Sequence, residues 1–240
     1  MELRFPLILD GATGTELQRR GYTGDISMEQ WTLAHPDCIR ELQRGYVDAG
    51  SRVLYTPTFG GNAVRLAAHG VTEDVAAYNR RLAALTREAA GGRALVAGDM
   101  APTGLFLPPL GDASFRQLVD AYAQQVAGLE EAGVDLYVIE TMISLSDARA
   151  AVLAVRAVTD KPIFVTFACD GNGRSISGTD VTAALTALQD MGIDAFGLNC
   201  STGAQMLPQL RRLRAYARVP LIAKPSAGLP VMVDGRAVYD

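Results

Sequence analysis

Short apolar runs recur along this chain, separated by longer stretches with helical spacing. The runs at 7–9, 53–55, 94–97, 136–139, 162–167, 195–198 and 220–223 read as strands buried on both faces. Between them, apolar residues at intervals of three and four predict helices over 36–49, 75–90, 115–132, 146–158, 181–191 and 206–217. Pro208 is tolerated because it falls in the first turn of its helix. Three helix-to-strand joins look alike: Asp48-Ala49-Gly50, Glu131-Ala132-Gly133 and Asp190-Met191-Gly192 each place Gly just past a helix and a strand three residues later. Strands alternating with helices in this way predict a parallel α/β sheet.

Seven such units can be counted, whereas a closed (βα)8 TIM-type barrel has eight. The expectation is one barrel domain over residues 1–240 that stops before its eighth strand, its last residues forming a hairpin around Asp234-Gly235. Seven strands alone leave an edge unpaired, so a partner chain or self-association would complete the barrel.

Composition narrows the function. Net charge is −4, with no basic block, which argues against a nucleic-acid partner or an anionic membrane surface. No apolar run is long enough to span a bilayer and no leader precedes the first strand, so the expected location is the cytoplasm. Cys38, Cys169 and Cys200 are too few and too scattered for a disulfide framework, and no CxxC, HxH or HExxH pattern writes a complete metal site. His35 and His69 fall near helix ends, positions that suit structural or solvated imidazoles.

The chemistry collects at the strand ends, where a parallel α/β protein binds its ligands. They carry Asp10, Thr56 and Thr58, Asp99, Glu140, Asp170, Asn199 with Cys200, and Lys224 with Ser226. The turn Asp10-Gly11-Ala12-Thr13-Gly14 lets backbone approach a ligand but lacks phosphate-loop spacing. Asp10 and Glu140 would serve as an acid/base pair or grip an ammonium group, and the plainer reading of each is a capped turn. Cys200 follows the apolar run 195–198, where a thiol is a metal ligand, a nucleophile or simple packing. The Pro-rich stretch 105–111 reads as a loop, on the surface or over the barrel mouth.

Taken together, several motifs resemble the homocysteine S-methyltransferase family, which includes the first module of cobalamin-dependent methionine synthase. They are Asp10-Gly11-Ala12-Thr13-Gly14-Thr15-Glu16-Leu17, Thr56-Pro57-Thr58-Phe59-Gly60, Pro102-Thr103-Gly104, Ile139-Glu140-Thr141, Gly173-Arg174-Ser175, Gly197-Leu198-Asn199-Cys200 and Pro225-Ser226-Ala227-Gly228. The resemblance implies a (βα)8 barrel that transfers a methyl group to a zinc-activated homocysteine thiolate to give methionine. It implies Cys200 as a zinc ligand and catalytic group. It also implies Asp10, the Gly11-Ala12 backbone, Glu140 and Asn199 as the holders of homocysteine, with Glu140 catalytic as well. The methyl donor would be a cobalamin, a folate acting through a corrinoid, or an onium compound. The family takes its other two zinc thiolates from a Gly-Gly-Cys-Cys segment that is absent here, and Pro57 stands where the family has Asn. The isolated chain is therefore expected to hold zinc poorly and turn over little. Two competing expectations are a non-catalytic barrel subunit completed by a partner, and a metal-free lyase using Glu140 or Lys224.

Overall fold

The computed structural model describes residues 5–226, Gly228, and the backbone of two short strands at 231–233 and 236–238. In chain order the elements are α1 (Gly14–Arg19), α2 (Met28–Ala34), α3 (Pro36–Asp48), β1 (Val53–Tyr55), α4 (Ala63–Ala68), α5 (Val75–Ala90), β2 (Leu95–Met100), α6 (Phe115–Glu131), β3 (Leu136–Met142), α7 (Leu145–Arg156), β4 (Ile163–Phe167), α8 (Val181–Gln189), β5 (Ala195–Thr202), α9 (Gly203–Arg214), β6 (Leu221–Ser226), β7 (Val231–Val233) and β8 (Arg236–Val238). The strand order β1-β2-β3-β4-β5-β6 follows the sequence, and the pairs β1–β2, β4–β5 and β5–β6 run parallel. This is the α/β pattern of an incomplete (βα)8 barrel. The strands β7 and β8 form a separate antiparallel pair. That pair matches the expected hairpin, whose turn residues Asp234 and Gly235 lie outside the described residues.

The chain divides into two compact units. One comprises the described residues of Met1–Met100 with Ala121–Tyr137, the other those of Ala101–Asp120 with Val138–Asp240. In the first, Leu17, Trp31, Ile39, Leu42 and Leu85 form a buried cluster, against which Cys38 and Tyr46 pack. In the second, Phe167 of β4 and Phe196 of β5 meet with ring centroids 5.8 Å apart, beneath the strand ends that matter below.

Two of the three recurring joins share a clasp, while the first carries Arg52 at the corresponding position. In the first unit the Asp135 carboxylate accepts the Val96 N–H at 2.8 Å and pairs with Arg87 of α5 at 3.1 Å. In the second, Asp194 accepts the Ile163 N–H at 2.8 Å and pairs with Arg156 of α7 at 3.2 Å. Each aspartate thus satisfies a backbone N–H at the start of the preceding strand, that of the second residue of β2 and of the first residue of β4. The glycine two residues earlier adopts the left-handed conformation that ends the helix, with φ of 69° at Gly133 and 80° at Gly192.

Several sequence expectations are corrected. Residues 7–9 do not form a strand: Leu9 alone makes a parallel bridge to Val53, so six strands, not seven, build the main sheet among the described residues. Pro6, which has no N–H, precedes this run, and Asp10 turns the chain immediately after it. Four strands run further than their apolar cores: β2 continues through Gly98 and Asp99, β3 through Glu140 and Thr141, β5 through Asn199 and Cys200, and β6 through Pro225. The last helix spans 203–214 rather than 206–217, because Thr202 and Gln205 form a capping box at its start. Helix α2, unforeseen from periodicity, opens on a similar box between Ser27 and Gln30.

The β5–β6 pairing requires glycine at one position. A Cβ on Gly197 would lie 2.0 Å from the Ile222 carbonyl oxygen, a backbone atom that cannot swing aside. Gly197→Ala is expected to lower stability by about 1–3 kcal/mol through overpacking. Gly171→Ala, where a Cβ meets nothing within 4 Å, should change it little. Urea titration of both variants checks this, and equal midpoints would contradict it.

Candidate functional site

In the second unit, the ends of β3 and β5 bring a carboxylate, a hydroxyl, a carboxamide and a thiol together. The Asn199 Nδ2 donates to Thr141 Oγ1 at 2.6 Å and approaches Glu140 Oε2 at 3.4 Å and Cys200 Sγ at 3.5 Å. Thr141 Oγ1 lies 3.5 Å from the same sulfur. Lys224 of β6 reaches Glu140 Oε2 at 3.9 Å, which places a cation beside the carboxylate. Asn199 is buried, and its Oδ1 finds no partner among the described residues. Glu140, Asn199 and Cys200, expected from the sequence as site residues, are thus neighbours. Thr141 was not singled out, although its place after Glu140 at a strand end marks it.

The local backbone explains the geometry. Register between β5 and β6 pairs Asn199 with Lys224 and then Thr202 with Ser226. Two residues, Cys200 and Ser201, therefore face the single residue Pro225, which is the two-against-one count of a β-bulge. The bulge puts Cys200 in the left-handed region at φ 53°. Thr141 shares that region at φ 57°, and these two are the non-glycine residues with positive φ among those described. For a β-branched residue such a conformation is an outlier, and each costs on the order of 1–3 kcal/mol. Ser201 secures the bulge from behind, donating its hydroxyl to the Cys169 carbonyl at 2.8 Å.

Electrostatics leave the Cys200 thiol protonated more readily than a free cysteine. The residue reaches solvent, yet crowding around its sulfur pushes the thiol up; the Thr141 hydroxyl opposes this, the Glu140 charge adds to it and Lys224 opposes it. Cys169 is also pushed up, by burial first and then by the Asp170 charge.

Other strand-end residues serve the fold. In the first unit Asp10 is buried and its Oδ2 accepts the Tyr55 N–H at 2.8 Å. Gly11 lies under the Tyr46 ring, which a Cβ would meet at 2.7 Å, and the Tyr46 hydroxyl donates to the Ala12 carbonyl at 2.6 Å. Thr56, Thr58 and Asp99 hold one another: the Thr58 hydroxyl donates to the Asp99 carbonyl at 2.7 Å, and the Asp99 N–H donates to Thr56 Oγ1 at 2.9 Å. Asp170 is exposed, its carboxyl held below the usual range by the Arg174 and Asn172 N–H groups of its own turn. His35 caps a helix end and stacks on Trp31 at 4.3 Å. The loop 105–111 lines a cavity of about 260 Å³ whose other wall includes Ser144, Ser146 and Thr179.

A zinc ion needs more donors than this cluster has. Among the described residues no three of His, Cys, Asp and Glu converge where a metal would bind. Cys200 is the one thiol of the cluster, and Cys38 packs in the core of the first unit. The described residues therefore do not make a zinc centre by themselves. No helix among them is long and apolar enough to cross a membrane.

Comparison with known proteins places this geometry. The model of the homocysteine S-methyltransferase family matches residues 7–240. The chain belongs to that family. Methionine synthase of Mycobacterium leprae (strain TN) is 34% identical over 251 residues, covering 97% of this chain and 21% of that protein. Methionine synthase of Mycobacterium tuberculosis (strain ATCC 25618 / H37Rv) is 32% identical with the same coverage. The chain thus spans about a fifth of the length of these two relatives. Among solved structures, the metallated form of the homocysteine methyltransferase MmuM from Escherichia coli aligns with a TM-score of 0.82 at 26% identity, covering 92% of this chain and 84% of that one. Membership in a methyltransferase family does not favour the reading as a non-catalytic subunit.

With one thiol at the site, the purified 240-residue chain is expected to retain well under one zinc per chain after dialysis against a weak chelator. Metal analysis checks this, and one tightly held zinc per chain would contradict it.

Proposed function

We propose that this chain is the homocysteine-binding part of a methyltransferase that converts homocysteine to methionine. The observation that carries the reading is the Glu140–Asn199–Cys200 cluster at the ends of β3 and β5, in a chain of this family. The Glu140 carboxylate would take the substrate ammonium group. The unpartnered Asn199 Oδ1, a buried acceptor, supports a donor arriving from a ligand. Asp10 and the Gly11-Ala12 backbone are proposed to complete the grip on the amino-acid end. Cys200 would face the substrate sulfur.

In the reaction the homocysteine sulfur loses its proton, its electron pair forms the new S–CH3 bond, and the donor–CH3 bond breaks with its pair leaving on the donor. Zinc bound through Cys200 would supply thiolate activation, and its other donors would have to come from beyond the described residues. What these residues contribute is orientation of the amino acid and a sulfur-lined end to the site. The donor is proposed to be a cobalamin, a folate working through one, or an onium compound. The reaction belongs to methionine biosynthesis and, with three free thiols in the chain, fits the reducing cytoplasm.

Calorimetric titration with L-homocysteine tests the substrate assignment. Wild type should bind it, and Glu140→Gln and Asn199→Ala should each weaken binding by about tenfold or more, as expected for losing a hydrogen bond to a charged group. No binding by wild type, or equal affinity in both variants, would overturn the proposal.

A further inference from the structure

We infer that Thr141 is a positioning residue for Cys200: its hydroxyl fixes the direction of the cysteine sulfur and supplies that sulfur with a hydrogen-bond donor. Three independent observations support this. First, Thr141 and Cys200 hold left-handed backbone conformations, at φ 57° and 53°, and their side chains meet at 3.5 Å. Strained conformations at two strand ends persist only where the surroundings over-determine them. Here each turns its side chain toward the other.

Second, the direction of donation follows from the neighbours. Asn199 Nδ2 donates to Thr141 Oγ1 at 2.6 Å, which occupies an acceptor position of the hydroxyl. The hydroxyl proton is then free to point at Cys200 Sγ, for which sulfur is an acceptor within reach. Asn199 Nδ2 lies 3.5 Å from the same sulfur, so Cys200 Sγ faces two donor groups.

Third, Thr141 is itself held. Its N–H donates to Thr166 Oγ1 of β4 at 3.3 Å. The hydroxyl that faces Cys200 is therefore braced from β4 through its backbone and from β5 through Asn199. The inference draws on the proposed function only in giving Cys200 a working role, since the contact between the two side chains exists without substrate.

The test needs no methyl donor. The purified chain is alkylated with iodoacetamide at one pH, and the rate at Cys200 is read by mass spectrometry of its peptide, apart from Cys38 and Cys169. Thr141→Ser keeps the hydroxyl and should stay within about twofold of wild type. Thr141→Val keeps the shape but loses the donor, and should slow Cys200 by about fivefold or more. Thr141→Gly removes the hydroxyl and the backbone strain together, and should also be slow; it decides the matter if the valine variant fails to fold. A valine or glycine variant that reacts like wild type, or a serine variant as slow as valine, would overturn the inference. These rates stand apart from homocysteine binding: a chain that binds no homocysteine but shows this pattern refutes the proposed substrate and keeps the role of Thr141.

Discussion

The geometry of the site depends on a bulge in β5 opposite Pro225. A bulge sets two residues of one strand against one residue of its neighbour and re-aims the side chain it carries. Here β5 takes up the difference with an extra residue, and the extra residue carries the thiol. Cys200 consequently leaves the alternation of the pleat and turns beside Thr141 at the end of β3. Asn199, still in register with Lys224, sends its carboxamide to the same place. A two-residue irregularity thus converts three strand ends into one cluster. The close approach of β5 and β6 at Gly197, a short distance below, keeps that irregularity from spreading into the core.

Polar residues at strand ends play two different parts in this chain. Thr56, Thr58 and Asp99 spend their hydrogen bonds on one another and on Gln125, whose Nε2 donates to the Thr58 carbonyl at 2.7 Å. They close the ends of β1 and β2 with bonds inside their own unit. The cluster around Asn199 instead holds two residues, Thr141 and Cys200, in unfavourable backbone conformations. That contrast separates scaffold from site better than polarity does.

Much of this could be read from the residues alone. Helix α5 runs over 75–90 as its periodicity indicates, with Gly91 in the left-handed conformation after it. Asn199 and Cys200 stood out because a polar pair follows an apolar run, and the structure puts them together with Glu140. The bulge was hidden, since Lys224-Pro225-Ser226 looks like the exit of a strand rather than its continuation. Thr141 was hidden for a related reason: sequence gives no sign that a β-branched residue takes φ 57°. Short helices such as α2 and the start of α9 escape periodicity, yet Ser27 with Gln30 and Thr202 with Gln205 spell their capping boxes at the required spacing. Asp99 and Asp10 also anchor their own unit, through a backbone N–H in one and a carboxylate in the other, contacts that sequence alone does not show.

The aspartate clasps at Asp135 and Asp194 bear on how such a fold grows. Each aspartate sits in one helix-to-strand join and reaches back to the strand before it and to an arginine of the helix that leads into that strand. A βα unit built this way brings its own fastening. Duplicating one adds a strand already equipped to hold its predecessor, without new contacts having to arise elsewhere. The sheet is in this sense assembled like a row of hooks and eyes, with the chemistry left to vary at the far ends of the strands.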